Sequence, residues 1–331
     1  MALLEVKELD VSLSTAMGPA RAVRNLDIIL EKGQTLGIVG ESGCGKSMTA
    51  LALMGLLPEN GTTSGEILMN GEDLLVKSEK EMCKIRGNRM AMIFQEPMTS
   101  LNPVHTVGRQ IMEPLRLHRG LSKKDAFTEA VNLMERVGIP NPSERVRNYP
   151  HQLSGGQRQR VMIAIALSCS PDILIADEPT TALDVTIQDQ ILELIQNLVK
   201  EEGMSLILIS HDLGVIAENT DKVLVMYGGT VVESGATDQI FGNLTHPYTQ
   251  GLFAAMPKLG MGRNGRLTTI PGTVPDLINL PTGCTFTDRC PLATSECRNT
   301  VPVAFSLEAA HKVSCHHLDQ AIEARGEGLY K

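Results

Sequence analysis

Tryptophan is absent from this 331-residue chain, and aromatic residues make up only 3% of it, as four tyrosines and six phenylalanines. So few rings argue against a protein that binds single-stranded nucleic acid by stacking bases on exposed aromatic side chains. Basic residues are fewer than acidic ones, 30 against 38, which gives a formal charge of −8. That sign is wrong for affinity gained by neutralising nucleic-acid phosphates, and we expect no nucleic-acid partner.

A long uninterrupted apolar run is lacking as well. The longest, residues 161–169, contains Ser168 and follows Arg160, and it falls well short of the roughly 18 residues that a membrane helix needs. The first ten residues (MALLEVKELD) carry four charges where a signal peptide would need an apolar stretch. We therefore expect a protein that spans no membrane and stays in the cytoplasm.

The composition is otherwise that of a soluble globular protein, with 42% hydrophobic and 21% charged residues, so aliphatic packing must form the core. Cysteine and proline are unevenly distributed. Four of the seven cysteines lie in the last fifty residues, among proline-rich connections: Cys284, Cys290, Cys297 and Cys315. This shift predicts a boundary within residues 245–265, which separates a domain over 1–250 from a loop-rich extension over 251–331.

A glycine-rich loop follows the first strongly apolar segment. Residues 34–39 (QTLGIV) predict a buried strand, and the residues after Lys46 (SMTALALMGLL) predict a helix. The loop between them matches G-x-x-x-x-G-K-[ST] at Gly40, Glu41, Ser42, Gly43, Cys44, Gly45, Lys46 and Ser47. In such a loop, backbone N–H groups face a polyphosphate, Lys46 reaches the β- and γ-phosphates, and Ser47 can ligate Mg²⁺. The alternative is a glycine-rich turn before a helix, without a ligand.

A second apolar segment, residues 173–176, ends in two adjacent carboxylates, Asp177 and Glu178. Adjacent strand residues point to opposite faces, so the two acids can take different roles. Asp177 would hold the Mg²⁺ shell, and Glu178 would polarise the water that attacks the γ-phosphate. Alone, such a pair is more often the start of a helix, but the glycine loop in the same chain favours the catalytic interpretation.

Residues 153–157 (LSGGQ) precede a helix-forming segment that contains arginine. Ser154, Gly155, Gly156 and Gln157 would form another anion-binding helix N-terminus, and a second such loop implies a second bound nucleotide. The motif resembles the signature sequence of the nucleotide-binding subunits of ATP-binding cassette (ABC) transporters. The resemblance implies that two subunits pair head to tail, each signature closing over the ATP held by the other subunit's glycine loop.

Three further positions match that family in the same order. Gln95 follows apolar residues 92–94 as the Q-loop glutamine does, residues 182–184 (ALD) resemble the D-loop, and His211 follows residues 205–210 as the switch histidine does. The resemblance implies that Gln95 and His211 act with Glu178 in hydrolysis, and that Gln95 joins the Mg²⁺ ligands. The family usually stacks adenine on an N-terminal aromatic side chain, whereas residues 11–23 contain none. Leu13 or Met17 would be the apolar contact instead, and we expect weak selectivity for the base.

A fused exporter is excluded because one cassette and no membrane span are present, and only 107 positions separate Lys46 from Leu153, too few for the coiled-coil cassettes of DNA repair. Over most of its length the chain resembles the ATPase subunits of bacterial oligopeptide, dipeptide and nickel importers. The resemblance lies in residues 95–103 (QEPMTSLNP), 177–184 (DEPTTALD), 210–215 (SHDLGV), 246–249 (HPYT) and 269–272 (TIPG). It implies ATP-driven import of di- or oligopeptides, with nickel or glutathione import and a non-transport ABC ATPase as alternatives.

The resemblance also implies a fold and partners. We expect an α/β P-loop NTPase cassette with a RecA-like core, an N-terminal β-subdomain and a helical signature subdomain over residues 96–165 within the first domain. The partners would be a second ABC ATPase subunit, commonly a related but different chain, two membrane permease subunits and, indirectly, a solute-binding protein. The subunit would lie peripherally on the cytoplasmic face of the inner membrane.

The helical part would receive a short permease helix. Of the methionines around it (Met82, Met90, Met92, Met98 and Met112), we expect most to be core residues. Met98 and Leu101, predicted to lie in a loop, are the better interface candidates.

The tail cysteines are separated by five, six and seventeen residues, a spacing that matches neither zinc ribbons nor ferredoxins and names no metal by itself. Similar importer subunits carry four such cysteines, read there as ligands of a [4Fe–4S] cluster. Zn²⁺, participation of His311, His316 and His317, and unligated thiols stay open as alternatives. Disulfides are the least favoured in a reducing compartment.

Overall fold

The computed structural model describes residues 2–181, 183–256, 269–308, 310–327 and 329–330. Ala182 of the predicted D-loop and Pro257 of the predicted boundary lie outside the described residues. In chain order the strands are β1 (Leu4–Thr15), β2 (Gly18–Leu30), β3 (Thr35–Val39), β4 (Gly61–Met69), β5 (Glu72–Asp73), β6 (Met90–Ile93), β7 (Ile173–Asp177), β8 (Ser205–Ser210), β9 (Lys222–Tyr227), β10 (Thr230–Ala236), β11 (Phe305–Glu308) and β12 (His311–Val313).

The helices follow the same numbering. They are α1 (Lys46–Leu53), α2 (Glu79–Ile85), α3 (Pro97–Ser100), α4 (Val107–His118), α5 (Lys123–Arg136), α6 (Pro142–Arg145), α7 (Gly155–Leu167), α8 (Val185–Glu202), α9 (Leu213–Asn219), α10 (Thr237–Gly242), α11 (Pro247–Ala254), α12 (Ser295–Asn299) and α13 (Leu318–Glu327), with a 3-10 turn at Pro150–Gln152. The strands β3, β7 and β8 and the helices α1 and α7 are found where the apolar patterns predict them.

The described chain forms two compact units. The helical unit contains residues 30–35 and 76–209, and the terminal unit contains residues 2–29, 36–75 and 210–331 with the gaps given above. The glycine loop belongs to the terminal unit, whereas the acidic pair and the LSGGQ segment belong to the helical unit.

The N-terminal part of the terminal unit is a four-stranded sheet of order β2-β1-β4-β5, as the predicted β-subdomain requires. β1 runs antiparallel to β4, and its inward side chains Leu4 and Val6 are almost fully buried. A bulge between Lys7 and Asp10 shifts the register, so that Leu9 and Val11 continue the buried face. The bulge keeps a single apolar face along a twelve-residue strand.

The second sheet segment of the terminal unit has the order β11-β12-β10-β9-β3. β3 and β9 are parallel, and both are buried on two sides, which is why each reads as a nearly continuous apolar run. β10 pairs antiparallel with β9 on one side and with β12 of the C-terminal extension on the other. The extension thus adds strands directly to the sheet segment that carries β3.

The helical unit contains three parallel strands of order β8-β7-β6. Every residue of these strands is buried. Helices α3 to α7 lie within residues 97–167; the bounds of the helical subdomain, residues 96–165, stay a prediction. Helix α7 packs against β6, α4 and α5, which places the start of α7 on a rigid support.

The structure corrects one interface prediction. Met98 is 62% exposed, as a partner contact would require, although it lies in α3 rather than in a loop. Leu101 is only 3% exposed, so its prediction as an interface residue is wrong. The reason is local: α3 packs on α7, and the residue that follows α3 turns its apolar side chain inward. Met82, Met90 and Met92 are buried, as expected for core methionines.

No helix in the described ranges combines the length and the apolar character needed to cross a membrane.

Candidate functional site

The loop at residues 40–47 joins β3 to α1 and curls as a phosphate-binding loop does. Gly40, Gly43 and Gly45 all have positive φ angles, of 158°, 83° and 105°. A Cβ atom on Gly40 would lie 2.2 Å from the carbonyl oxygen of Met226, and one on Gly45 would lie 2.3 Å from that of Ala22. The two glycines are therefore required sterically, because any side chain would displace neighbouring backbone.

Lys46 begins α1 and is 4% exposed. Its Nζ donates hydrogen bonds to the carbonyl oxygens of Gly40 (2.7 Å) and Glu41 (3.2 Å). The ammonium group thus lies against the glycine loop. A phosphate oxygen bound there would compete with the two carbonyl oxygens for the hydrogen bonds of Lys46. Ser47 follows in the first turn of α1, half-buried at the position expected of a Mg²⁺ ligand.

The acidic pair lies at the end of β7. Asp177 is the last residue of the strand and is 4% exposed, whereas Glu178 is half-buried and has a positive φ of 44°. A left-handed backbone is unfavourable for glutamate, and such strain is held where the surroundings over-determine it. Its N–H donates to the carbonyl oxygen of Ile209 (2.9 Å), which fixes the turn.

Gln95 and Glu178 are brought together. Gln95 Nε2 donates to Glu178 Oε2 (3.2 Å), and Thr181 Oγ1 donates to the same oxygen (2.9 Å). Gln95 follows β6 and Glu178 follows β7, and these strands are parallel neighbours, which explains why the two side chains lie close together. Thr181 was not singled out from the sequence, although it lies in the DEPTTALD segment.

The LSGGQ segment forms the N-terminus of α7. Ser154 is the N-cap, its Oγ accepts from the N–H of Gln157 (3.4 Å), and Gln157 Oε1 accepts from the N–H of Ser154 (3.3 Å). This capping box uses the two polar side chains locally. Among the described residues, a Cβ atom on Gly155 would meet only Leu183 Cδ2, at 3.8 Å, so the first turn of the helix is open on this side.

His211 directly follows β8, as predicted, and its side chain is exposed. The next residue, Asp212, caps α9 by accepting from the N–H of Gly214 (2.7 Å). The sequence thus places His211 on a short, well-defined turn between a strand and a helix.

The four tail cysteines are free thiols, and the disulfide alternative is not seen. The pKa of Cys284 is raised to about 11 and that of Cys290 to about 12, mainly by burial and to a smaller extent by the charges of other tail cysteines. Cys284 also donates its N–H to the carbonyl oxygen of Cys297 (2.7 Å). The extension therefore gathers the four thiols in one partly buried region.

The fit of the region around the tail cysteines to a metal has to be judged separately for each kind of metal group. Over the described ranges, no three or more His, Cys, Asp or Glu side chains are arranged to hold a metal ion. The three tail histidines have other partners at Nε2: His311 bonds Glu233 (2.8 Å), His316 the carbonyl oxygen of Thr300 (3.0 Å) and His317 Thr294 (2.8 Å). A zinc ion held with histidine is therefore not supported.

Arg289 is the functional candidate that no sequence pattern marks. Its guanidinium forms a two-pronged ion pair with Glu41 of the glycine loop, 248 positions away in the chain. Burial lowers the pKa of Arg289, but the hydrogen bonds to Glu41 and Tyr227 outweigh it, so that the pKa is raised and the charge is kept. In the sequence, Arg289 is distinguished only by its position directly before Cys290, one of the four tail cysteines.

A phosphate loop with a buried lysine, an acidic pair at a strand end with a glutamine bound to it, and a capped glycine-rich helix start define the class of ABC-type P-loop ATPases. Residues 23–181 match the ABC transporter family, and residues 232–297 match the oligopeptide/dipeptide transporter C-terminal region.

Similar proteins agree with this class. The dipeptide transport ATP-binding protein DppD of Bacillus subtilis is 50% identical over 323 residues, 97% of this chain and 96% of that protein. The oligopeptide transport ATP-binding protein OppD of Salmonella typhimurium is 51% identical over 305 residues, 92% of this chain and 91% of that protein. Among solved structures, the cassette MJ0796 in a dimeric post-hydrolysis state with ADP and Pi aligns with a TM-score of 0.64 and 27% identity, covering 71% of this chain and 98% of that one.

The chain belongs to the ATP-binding subunits of ABC transporters, in the branch that carries the oligopeptide/dipeptide C-terminal region. The predicted family, cassette fold and ATPase class are therefore confirmed.

Proposed function

We propose that this chain binds Mg·ATP at residues 40–47 and hydrolyses it to drive import of di- or oligopeptides through two separate membrane permease subunits. The observation that carries the proposal is the curled glycine loop with Lys46 buried over it, in a chain whose extension matches the oligopeptide/dipeptide region. The names of the similar proteins favour peptides over nickel or glutathione, and over a non-transport ATPase.

Each site residue has a distinct task. Lys46 and the loop N–H groups bind the β- and γ-phosphates, and Ser47, Asp177 and Gln95 would hold Mg²⁺, which neutralises phosphate charge when bound. Glu178 accepts a proton from the attacking water. Hydrogen bonds from Gln95 and Thr181 to Glu178 Oε2 fix the direction of that carboxylate. His211 would contact the γ-phosphate from the end of β8.

Transport in a reconstituted complex tests this function. The complete importer in proteoliposomes should accumulate labelled di- or tripeptide when ATP is supplied on the side of this subunit, and Lys46→Ala should abolish accumulation. Labelled Ni²⁺ and glutathione are measured in parallel. Uptake of either one without peptide uptake would replace the peptide assignment, and ATP turnover without any transport would favour the non-transport alternative.

The second ATPase subunit is proposed to pair head to tail with this one. Support comes from the capped, open start of α7, whose backbone N–H groups could bind a phosphate. Because residues 40–47 are proposed to bind the phosphates of this chain's own ATP, this second site would bind those of the ATP held by the partner. The partner would be a related but different chain. Mixing the purified subunits with Mg·ATP and measuring mass by sedimentation tests whether the mixed pair forms in preference to a pair of identical chains.

A groove of about 1300 Å³ along α4 and α5 is the proposed seat of a permease helix. Its lining combines apolar Met112, Leu117 and Phe127 with basic Arg109, Arg116 and Lys124, so a short amphipathic helix with acidic residues would fit it. Arg116→Glu should weaken assembly with the permeases and leave ATP binding unchanged. Glu135→Lys, a charge reversal at an exposed position of α5 outside the lining residues, is the matched control. Assembly unaffected by Arg116→Glu would argue against this seat.

The tail thiols are proposed to bind a [4Fe–4S] cluster at Cys284, Cys290, Cys297 and Cys315. Support comes from the four free thiols of the extension, and from Cys284 and Cys290, whose pKa values are raised in part by the charges of other tail cysteines. Such a cluster would supply cross-links within a loop-rich segment. Anaerobically purified protein should contain about four iron and four labile sulfide per chain. Stoichiometric zinc instead would indicate a structural zinc site, and metal-free protein would leave the cysteines as packing residues.

The subunit is proposed to lie peripherally on the cytoplasmic face of the inner membrane, held there by the permeases. Cell fractionation checks this: the protein should sediment with membranes when the permeases are present and stay in the supernatant when they are deleted.

A further inference from the structure

Arg289 of the C-terminal extension uses all of its hydrogen-bond donors. Nη1 donates to Glu41 Oε2 (2.6 Å) and Tyr227 Oη (3.4 Å), Nη2 to Glu41 Oε1 (3.1 Å) and the carbonyl oxygen of Ile270 (3.2 Å), and Nε to that of Pro271 (3.0 Å). A guanidinium has five N–H groups in a fixed fork, so each now has a partner. The side chain is 5% exposed, which makes this a buried, fully satisfied anchor.

The surroundings fix the direction of this anchor. The guanidinium carbon lies 5.7 Å from the ring centre of Tyr227, and a Cβ atom on Gly272 would lie 3.2 Å from Arg289 Cγ. Residues 270–272 belong to the TIPG segment, whose carbonyls face the arginine. Tyr227 in turn packs edge-on against Phe286, which is also in the extension. The arginine therefore has one orientation, and that orientation faces the glycine loop.

Glu41 is held a second time through its backbone. Its N–H donates to Tyr248 Oη (2.8 Å), and Tyr248 is fully buried. Tyr248 lies in the HPYT segment, far from the loop in sequence. Both the main chain and the side chain of Glu41 are thus bound by parts of the chain outside the strand, loop and helix that form the phosphate site.

The contact reaches the lysine directly. The carbonyl oxygens of Gly40 and Glu41 are the acceptors for Lys46 Nζ. Any rotation of the peptide units around Glu41 would therefore move the groups that set the position of the Lys46 ammonium. Arg289, Glu41 and Lys46 form one continuous chain of hydrogen bonds from the extension to the loop.

We propose that Arg289 is a positioning residue for the nucleotide loop, through which the C-terminal extension sets the affinity of this chain for ATP. The inference rests on the proposed role of residues 40–47 in binding the phosphates. The extension is then more than an appendage of the cassette, because it supplies the group that holds Glu41 and, through Glu41, the lysine in a binding-ready arrangement.

Titration of full-length protein with Mg·ATP tests the proposal. Arg289→Ala should raise the Kd for ATP about tenfold, since a charge-assisted pair that orders the loop is lost. Arg289→Lys keeps one charge but not the fork, and its Kd should lie between those of the parent and of Arg289→Ala. Arg298→Ala is the matched control: this arginine also lies in the extension beside a tail cysteine, but it is exposed. Its Kd should equal that of the parent.

A double-substitution cycle separates positioning from general stability. Glu41→Gln, at a half-buried position, should also raise the Kd, and Arg289→Ala combined with Glu41→Gln should bind ATP no more weakly than Arg289→Ala alone. Additive effects would mean that Arg289 acts only on the stability of the extension, and would overturn the proposal. So would a Kd for Glu41→Gln within twofold of the parent, a test that stands even if Arg289→Ala does not fold.

Lys46→Ala tells the two proposals apart. If that variant bound ATP as tightly as the parent, the phosphate site itself would be misplaced, and the proposed function would fail with it. If Lys46→Ala loses ATP while Arg289→Ala and Glu41→Gln do not, the site stands and only the role of Arg289 is wrong.

Discussion

At the scale of single residues, Glu178, the proposed general base, is held in place by its surroundings. Its left-handed φ of 44° and its hydrogen bonds from Gln95 and Thr181 leave the carboxylate little freedom. Replacement by glutamine keeps the shape and most of the hydrogen bonds but removes the base. The chemical step can therefore be tested with little change to the fold.

Glu178→Gln should reduce ATP turnover of the assembled transporter by at least about 100-fold, because general-base catalysis is lost. The Kd for ATP should stay within about twofold of the parent, so the ATP-bound pair of subunits should accumulate. Glu193→Gln, an exposed change on α8, serves as the control. Turnover at the parent rate in Glu178→Gln would remove Glu178 from its catalytic role.

His246 makes the stability of the terminal unit depend on pH. Burial lowers its pKa to about 4, and the charge of Glu233 and a hydrogen bond with the backbone of Ser314 oppose this only in part. A histidine in the unfolded chain has a pKa near 6.5. Between about pH 6.5 and pH 4, therefore, the unfolded chain binds a proton at His246 and the folded chain does not. Stability from the neutral His246 is complete above about pH 6.5 and is lost as the pH falls towards 4.

We expect the free energy of unfolding at pH 5 to be lower than at pH 7.5 by about 2 kcal/mol on account of His246. His246→Asn keeps an N-cap acceptor for the N–H of Tyr248 but cannot take up a proton in this range. Urea unfolding at the two pH values checks the prediction. An equal loss in the parent and in His246→Asn would show that other groups cause the pH dependence.

At the scale of elements, the start of α7 combines an open face with a rigid base. The capping box between Ser154 and Gln157 fixes the first turn, and packing on β6, α4 and α5 fixes the rest. Among the described residues of its unit, none lies closer than 3.8 Å to a Cβ atom built on Gly155. A substitution at Gly155 therefore changes the exposed surface of the first turn of α7 without disturbing the capping box or the packing of the helix.

Gly155→Asp should therefore fold, since the added Cβ has space and an acidic residue suits the first turn of a helix. ATP binding by the single subunit should be unchanged. Pairing in the presence of ATP should weaken by at least about tenfold, because the carboxylate would face the partner's phosphates. Sedimentation and nucleotide titration measure the two properties separately, and Gly155→Ala is the control for size. Loss of ATP binding by the Gly155→Asp monomer would contradict the shared site.

At the scale of the whole molecule, the described part of the C-terminal extension has few buried apolar side chains, so the proposed cluster would contribute to its stability. Cys290→Ser should remove a ligand of the proposed cluster, and the described part of the extension should then be cleaved faster by protease in native buffer. Cys83→Ser, on the exposed face of α2, is the matched control. Equal cleavage rates in the parent and in Cys290→Ser would mean that the thiols contribute only packing.

Most motif-bearing elements could be predicted from the sequence because the glycine loop, Gln95, the acidic pair and His211 each follow a short apolar run that must be a buried strand, whereas the LSGGQ motif precedes a helix-forming segment. β3, β7 and β8 begin within one residue of the predicted starts, and α1 and α7 begin beside their glycines. The ion pair of Arg289 with Glu41 could not be predicted, since nothing local connects residues 248 positions apart. The burial of Leu101 escaped prediction for a similar reason, because the packing of α3 on α7 decides it.

The pairing of β10 with β12 has a consequence for how the protein is made. Glu233 of β10 is fully buried and accepts from the N–H groups of Thr245 and His246 and from His311, which begins β12. On the ribosome, β10 emerges some seventy residues before β12. Until then it presents an unpaired strand edge beside a buried carboxylate, the kind of surface by which nascent chains adhere to one another. A fragment that ends at residue 250 would keep the edge of β10 unpaired permanently. We expect such a fragment to aggregate rather than to be purified as a monomeric cassette.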